Sequence, residues 1–149
     1  MNKSKKFFFP IVSVGIALAV IITGFVIWYF TASEYAHFVE VKEEVLDIAG
    51  QIGTGRRYFT IDTKRFEKSW SEMTASDKLL QERWAAQAMA AIQYANTQFG
   101  FSSSLYEKML SSVTISGGYS GEQREENGNY VVTWAYAREE GLVVKYRLK

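Results

Sequence analysis

The chain has 149 residues, with 17 basic and 16 acidic side chains, one His, one Pro and no Cys. That length allows one small domain plus an appendage. The missing Cys excludes a disulfide framework, a thiolate metal site and a cysteine nucleophile. A net charge of +1 excludes a strongly basic nucleic-acid binder, so no nucleic acid is expected as a partner.

Residues 1–6 hold Lys3, Lys5 and Lys6 and read as a short cytoplasmic tail. Residues 7–30, FFFPIVSVGIALAVIITGFVIWYF, carry no charge. As a helix they would extend about 36 Å, enough for a hydrocarbon core of about 30 Å. Pro10 falls in the first turn, where its missing N–H is no loss. Trp28, Tyr29 and Phe30 suit the headgroup level at the far end. The apolar run is too long for a usual signal-peptide core. It therefore reads as an uncleaved signal anchor in the lipid bilayer of a single-pass protein. Ser13, Gly15, Ala17 and Ala19 place small residues at i, i+4, a weak mark of helix–helix contact in lipid.

The basic residues set the expected orientation. Three Lys precede the span, whereas residues 31–149 carry 14 basic and 16 acidic side chains. The positive-inside rule then places the N-terminus in the cytoplasm and the C-terminal domain outside the cell membrane. The Lys-rich start and missing Cys lean toward a bacterial envelope protein.

Residues 31–55 read as an amphipathic juxtamembrane helix and a glycine hinge. Phe38, Val41, Val45, Ile48 and Ile52 follow 3-4-3-4 spacing, an a/d stripe over two heptads. Nothing between Phe30 and Gly50 breaks a helix, so the span and this helix can be continuous. Two readings of the stripe are open. It pairs with another membrane or envelope protein or with a second copy, or it packs onto the chain's own domain. Gly50, Gly53 and Gly55 end the helix as a flexible joint.

Residues 56–149 read as an extracytoplasmic α+β domain. Tyr58, Phe59 and Ile61 form an extended entry. Asp62 or Thr63 caps a short helix bearing Phe66, Trp70 and Met73. Ser76 caps a longer helix with the stripe Leu80, Trp84, Ala88, Ala91, Ala95 and Phe99, stopped by Gly100. Ser104 and Glu107 form a capping box for a brief helix with Leu105, Met109 and Leu110. The rest reads as strands. Val113 and Ile115 alternate with polar neighbours, and Gly117-Gly118 marks a bend. Asn127-Gly128 is the strongest hairpin signal. Tyr130, Val132, Trp134 and Tyr136 share one face. After a turn at Glu140-Gly141, Leu142, Val144, Tyr146 and Leu148 alternate strictly, with Lys145 and Arg147 pointing away. The expected fold is α+β: a transmembrane helix, a juxtamembrane helix, then helices packed on a three-stranded antiparallel meander.

The search for chemistry yields no catalytic residue, cofactor site or metal site. His37 has no second ligand in the sequence pattern. Gly50 to Gly55 lacks the Lys of a phosphate loop. Glu125-Glu126 and Glu139-Glu140 flank turns and read as solvated, and Asp62 and Asp77 as helix starters. An enzyme is not expected. Arg56, Arg57, Lys64, Arg65 and Lys68 form a mild basic cluster for an anionic surface, or else an ordinary solvated face. In layout alone the chain resembles some secretion-system and pilus subunits of bacterial envelopes, which carries no function. The expected function is non-catalytic protein–protein interaction or assembly by the extracytoplasmic domain. The alternative is a binding module for a small ligand or an anionic envelope polymer, with an aromatic pocket between helix and sheet.

Overall fold

The computed structural model describes residues 5–111, 123–137 and 141–149, with side chains described from residue 19 onward. The expected strand at Val113 and Ile115, the bend at Gly117-Gly118 and Glu139-Glu140 lie outside the described residues. Two compact units divide the chain, one ending at Ala36 and one running His37–Lys149.

Helix α1 spans Lys5–Ala49, so the expected membrane span and the juxtamembrane helix belong to one helix. It includes one segment long and apolar enough to cross a membrane. Val20, Ile21, Phe25, Val26, Ile27 and Trp28 all stand exposed. A helix apolar on every side has no polar face to turn to water, which fits a lipid environment. Thr23 Oγ1 donates back to the Ala19 carbonyl at 2.7 Å, satisfying its hydroxyl inside the helix.

In the unit His37–Lys149, the last turns of α1 supply core. Phe38, Val41, Val45 and Ala49 are buried. Gly50 ends the helix at φ 75°, and its N–H donates to the Leu46 carbonyl. A tight hairpin stands in place of the expected flexible joint. Strand β1 (Gly53–Thr54) pairs antiparallel with β2 (Tyr58–Asp62). Ile52 lies in the connection, beyond the helix.

Helix α2 (Ala75–Gln98) opens earlier than a Ser76 cap would place it. Thr74 is the N-cap, and its hydroxyl accepts from Asp77 N–H while the Asp77 carboxylate accepts from Thr74 N–H. That reciprocal box satisfies two otherwise orphaned donors. Its buried stripe is Ala88, Ala91, Ile92, Ala95 and Asn96, continued by Phe99, while Leu80 is exposed. Gly100 follows the C-cap Phe99 at φ 68°, as its position predicts. Helix α3 (Leu105–Ser111) buries Leu105 and Met109. Ser104 Oγ there meets Ser102 Oγ at 2.8 Å.

The expected short helix at Phe66, Trp70 and Met73 is absent; the chain there is irregular, with a turn at 70–72. Its entry is held by a side chain of α2, and within it Ser69 N–H donates to the Glu72 carboxylate at 3.0 Å. Gln81 Oε1 accepts from Arg65 N–H at 2.8 Å, and Gln81 Nε2 donates to the Thr63 carbonyl at 2.8 Å. Asp62 and Thr63 accordingly start no helix. Asp62 closes β2, and Thr63 Oγ1 accepts from Leu142 N–H at 2.8 Å.

Strands β3 (Gln123–Asn127), β4 (Tyr130–Ala137) and β5 (Gly141–Leu148) complete one sheet in the order β1-β2-β5-β4-β3, all antiparallel. Among the described residues five strands stand against the expected three: β2, with β1 on its outer edge, pairs with β5, where Phe59 faces Tyr146 and Ile61 faces Val144. The β3–β4 hairpin turns where Asn127-Gly128 predicts one, with Gly128 at φ 56°. Asn127 Nδ2 also donates to the carbonyls of Phe99 and Gly100, at 2.8 and 2.9 Å, tying the hairpin to the end of α2.

The helices cover one face of this sheet. Phe38 lies 5.5 Å from Phe59 and 5.7 Å from Phe99 between ring centroids, and Phe59 stacks on Tyr146 at 5.0 Å. Trp134, Val144, Ile92 and Leu142 are buried in the same core. The two-layer α+β arrangement leaves the second face of the sheet without a helix among the described residues.

Candidate functional site

The register fixes what that second face carries. One row across it reads Thr60, Lys145, Thr133, Arg124; the next reads Tyr58, Arg147, Val131, Glu126. The inward partners along β5 are Val144, Tyr146 and Leu148, all buried, so period-two geometry forces Lys145 and Arg147 outward. Arg124, Val131, Thr133, Lys145 and Arg147 line a pocket of about 240 Å³. Its floor is Thr133 and Val131, and its walls are cationic. Val131 is only 2% exposed although it belongs to this face. Arg124 and Arg147 line the same pocket, and the stems of long basic side chains commonly shield apolar surface while their heads stay in water.

The charges are unequally paired. Arg124 and Lys149 both bridge to Glu126. Those two cations hold the Glu126 carboxyl below the usual carboxylate range, the Lys149 hydrogen bond being the larger cause. Lys145 Nζ stands 4.7 Å over the Tyr58 ring. Gly55 leaves room for that ring, since a Cβ there would overlap it. Among the described residues, no carboxylate lies within salt-bridge distance of Lys145 or Arg147. Two cations and a threonine hydroxyl therefore face one shallow hollow with capacity for an anion.

The residues singled out in the sequence are placed otherwise. Phe38, Val41 and Val45 are buried in their own domain, and Ile48 and Ile52 are partly covered. The stripe thus fills the core of the unit that begins at His37. Arg56 and Arg57 precede β2, whereas Lys64, Arg65 and Lys68 follow it, so the strand, about 17 Å long, separates them. The structure does not bring these five together. Arg65 instead lies 5.5 Å over the Trp84 ring. His37 is half-buried, with Nε2 3.2 Å from the Gln98 carbonyl and its ring edge-on to Phe99 and Tyr130. No cluster of three or more His, Cys, Asp or Glu suited to a metal occurs among the described residues.

Glu125 is not the freely solvated acid expected from its place beside a turn: Lys108 Nζ bonds it at 2.8 Å. Between the helices and the sheet, where the sequence suggests an aromatic ligand pocket, the rings of Phe38, Phe59, Phe99 and Tyr146 pack on one another. A different apolar surface stands open. Trp70, Leu79 and Leu80 are exposed around the start of α2, and Lys78 Nζ lies 5.5 Å over the Trp70 ring.

No family model, curated protein or solved structure matches the chain.

Proposed function

We propose that this is a single-pass, membrane-anchored envelope protein whose extracytoplasmic domain works without catalysis, by assembly with another protein. The anchor is residues 7–30, with the N-terminus cytoplasmic and the C-terminal domain outside. The observation carrying the assembly reading is that three large apolar side chains, Trp70, Leu79 and Leu80, stand exposed around the start of α2, and contiguous exposed apolar surface marks contact sites. Phe38, Val41 and Val45 of the juxtamembrane stripe are buried within the domain, so the contact is proposed elsewhere. The test is a photo-crosslinking amino acid at Leu79, Leu80 or Trp70 in native membranes. A defined protein adduct from at least one position is expected. No adduct from any of the three overturns the reading.

A second reading is favoured by a separate observation. The cationic pocket on the open sheet face supports a binding module for an anionic envelope component.

A further inference from the structure

We propose that the open face of the sheet, at the pocket of Arg124, Thr133, Lys145 and Arg147, is a docking site for a linear phosphodiester polymer of the cell envelope. The proposal rests on the second reading above and gives it a site and a ligand class. Three observations carry it.

First, two of the cations, Lys145 and Arg147, have no carboxylate partner among the described residues. Glu126 takes Arg124 and Lys149. Asp62 is the other acid among the described residues whose register position falls on this face; its Oδ1 accepts from Lys64 N–H at the far end of β2. Guanidinium and ammonium groups beside a hydroxyl match the oxygens of a phosphodiester, which accept several charge-assisted hydrogen bonds.

Second, the cations form an array along the sheet. Lys145 and Arg147 are i, i+2 on β5, about 6.7 Å apart along the strand. Arg124, already bridged to Glu126, borders them on β3, two strands away across Thr133. A single phosphate on so shallow and open a hollow would be held weakly. A repeating polyanion engages the array through several phosphates, each later contact being effectively intramolecular.

Third, the chemistry of the face argues against the other polyanionic surfaces. Insertion at a lipid interface uses apolar side chains that enter the acyl boundary, whereas headgroup attraction alone contributes only a small gain per cation. Here Val131 is buried, Val143 and Ala135 are half-buried, and Tyr58 lies under Lys145. Single-stranded nucleic acid needs several aromatic platforms for its bases. Tyr58 is the one aromatic residue on this face among the described residues, and Lys145 occupies it.

The experiment uses the full chain in nanodiscs of zwitterionic phosphatidylcholine. The probes are synthetic poly(glycerol phosphate), vesicles containing phosphatidylglycerol, and single-stranded DNA. Wild type is expected to bind poly(glycerol phosphate) more tightly than either alternative. The double variant Lys145→Gln/Arg147→Gln should bind at least tenfold more weakly, with the slope of log K against log salt reduced by about 1.4 for two lost cations. Arg65→Gln/Lys68→Gln should bind as wild type. Both pairs lie on exposed or half-exposed surface, and an unchanged thermal unfolding midpoint certifies their folds. Tighter binding to the vesicles or to DNA overturns the proposal. So does a double variant that binds the polymer like wild type; the binding-module reading then survives and this site falls. Wild type that binds none of the three probes defeats both.

Discussion

The Tyr146 hydroxyl on β5 lies 2.8 Å from Asn96 Oδ1 on α2, with both side chains buried. It is also 3.1 Å from the Ile92 carbonyl, so its single proton serves one acceptor at a time. Asn96 Nδ2 has no partner among the described residues. Tyr146→Phe would leave the Asn96 amide without its bond to Tyr146. An unpaired buried polar group costs about 1–3 kcal/mol, which urea unfolding should register. Adding Asn96→Leu should recover part of that loss, because two apolar partners need no hydrogen bond.

Burial also pushes the Tyr146 phenol well above its ordinary value. The folded protein therefore keeps this proton at a pH where the unfolded chain, titrating near about 10, has released it. Stability from this group is fully present below that pH and is lost as pH rises toward the folded value. Tyr106 is raised in the same direction, chiefly by desolvation. Wild type should lose stability above about pH 10, and Tyr146→Phe should flatten the decline. An equal decline in both would contradict the assignment.

Thr74→Ala removes the α2 N-cap and should cost about 1 kcal/mol, read from the urea midpoint. The Thr74 hydroxyl and backbone hold the Asp77 carboxyl below its usual value. A depressed folded value gives stability that is present above the unfolded value, about 3.9, and lost as pH falls through the folded one. The variant's stability should consequently depend less on acid pH than the wild type's.

Phe38→Ala should destabilise the domain by about 3–5 kcal/mol, since the ring is fully buried against Phe59 and Phe99. Leu46→Ala, on the 42%-exposed flank of the same helix, should change stability by less than about 0.5 kcal/mol. Similar effects at both positions would contradict the placement of the stripe in the domain core.

Local signals make much of this fold legible. The strict alternation Leu142, Val144, Tyr146, Leu148 locates β5, Asn127-Gly128 locates a hairpin, and Gly100 locates the end of α2. The spacing of Phe38, Val41 and Val45 identifies a buried face but leaves open what buries it, because the covering residues are Phe59 and Phe99, far along the chain. Strand β2 looks like a bare extended segment for the same reason: its partner β5 begins 79 residues after its own last residue, Asp62. The helix expected at Phe66 to Met73 is absent: Gln81 ties down the backbone just before it, at Thr63 and Arg65, and Ser69 N–H bonds the Glu72 carboxylate. The cationic pocket has no sequence cluster, since its walls come from β3, β4 and β5. Its one local trace is that Lys145 and Arg147 alternate against buried neighbours.

The absence of Cys makes the central claim, an anchored domain outside the cytoplasm, directly measurable. Ser103→Cys, in an exposed turn, gives the full chain a unique thiol. A membrane-impermeant maleimide is added to intact spheroplasts, and membranes are then washed with alkaline carbonate. The account predicts a labelled chain in the washed membrane pellet. Labelling only after permeabilisation, or recovery of the chain in the carbonate supernatant, would contradict it.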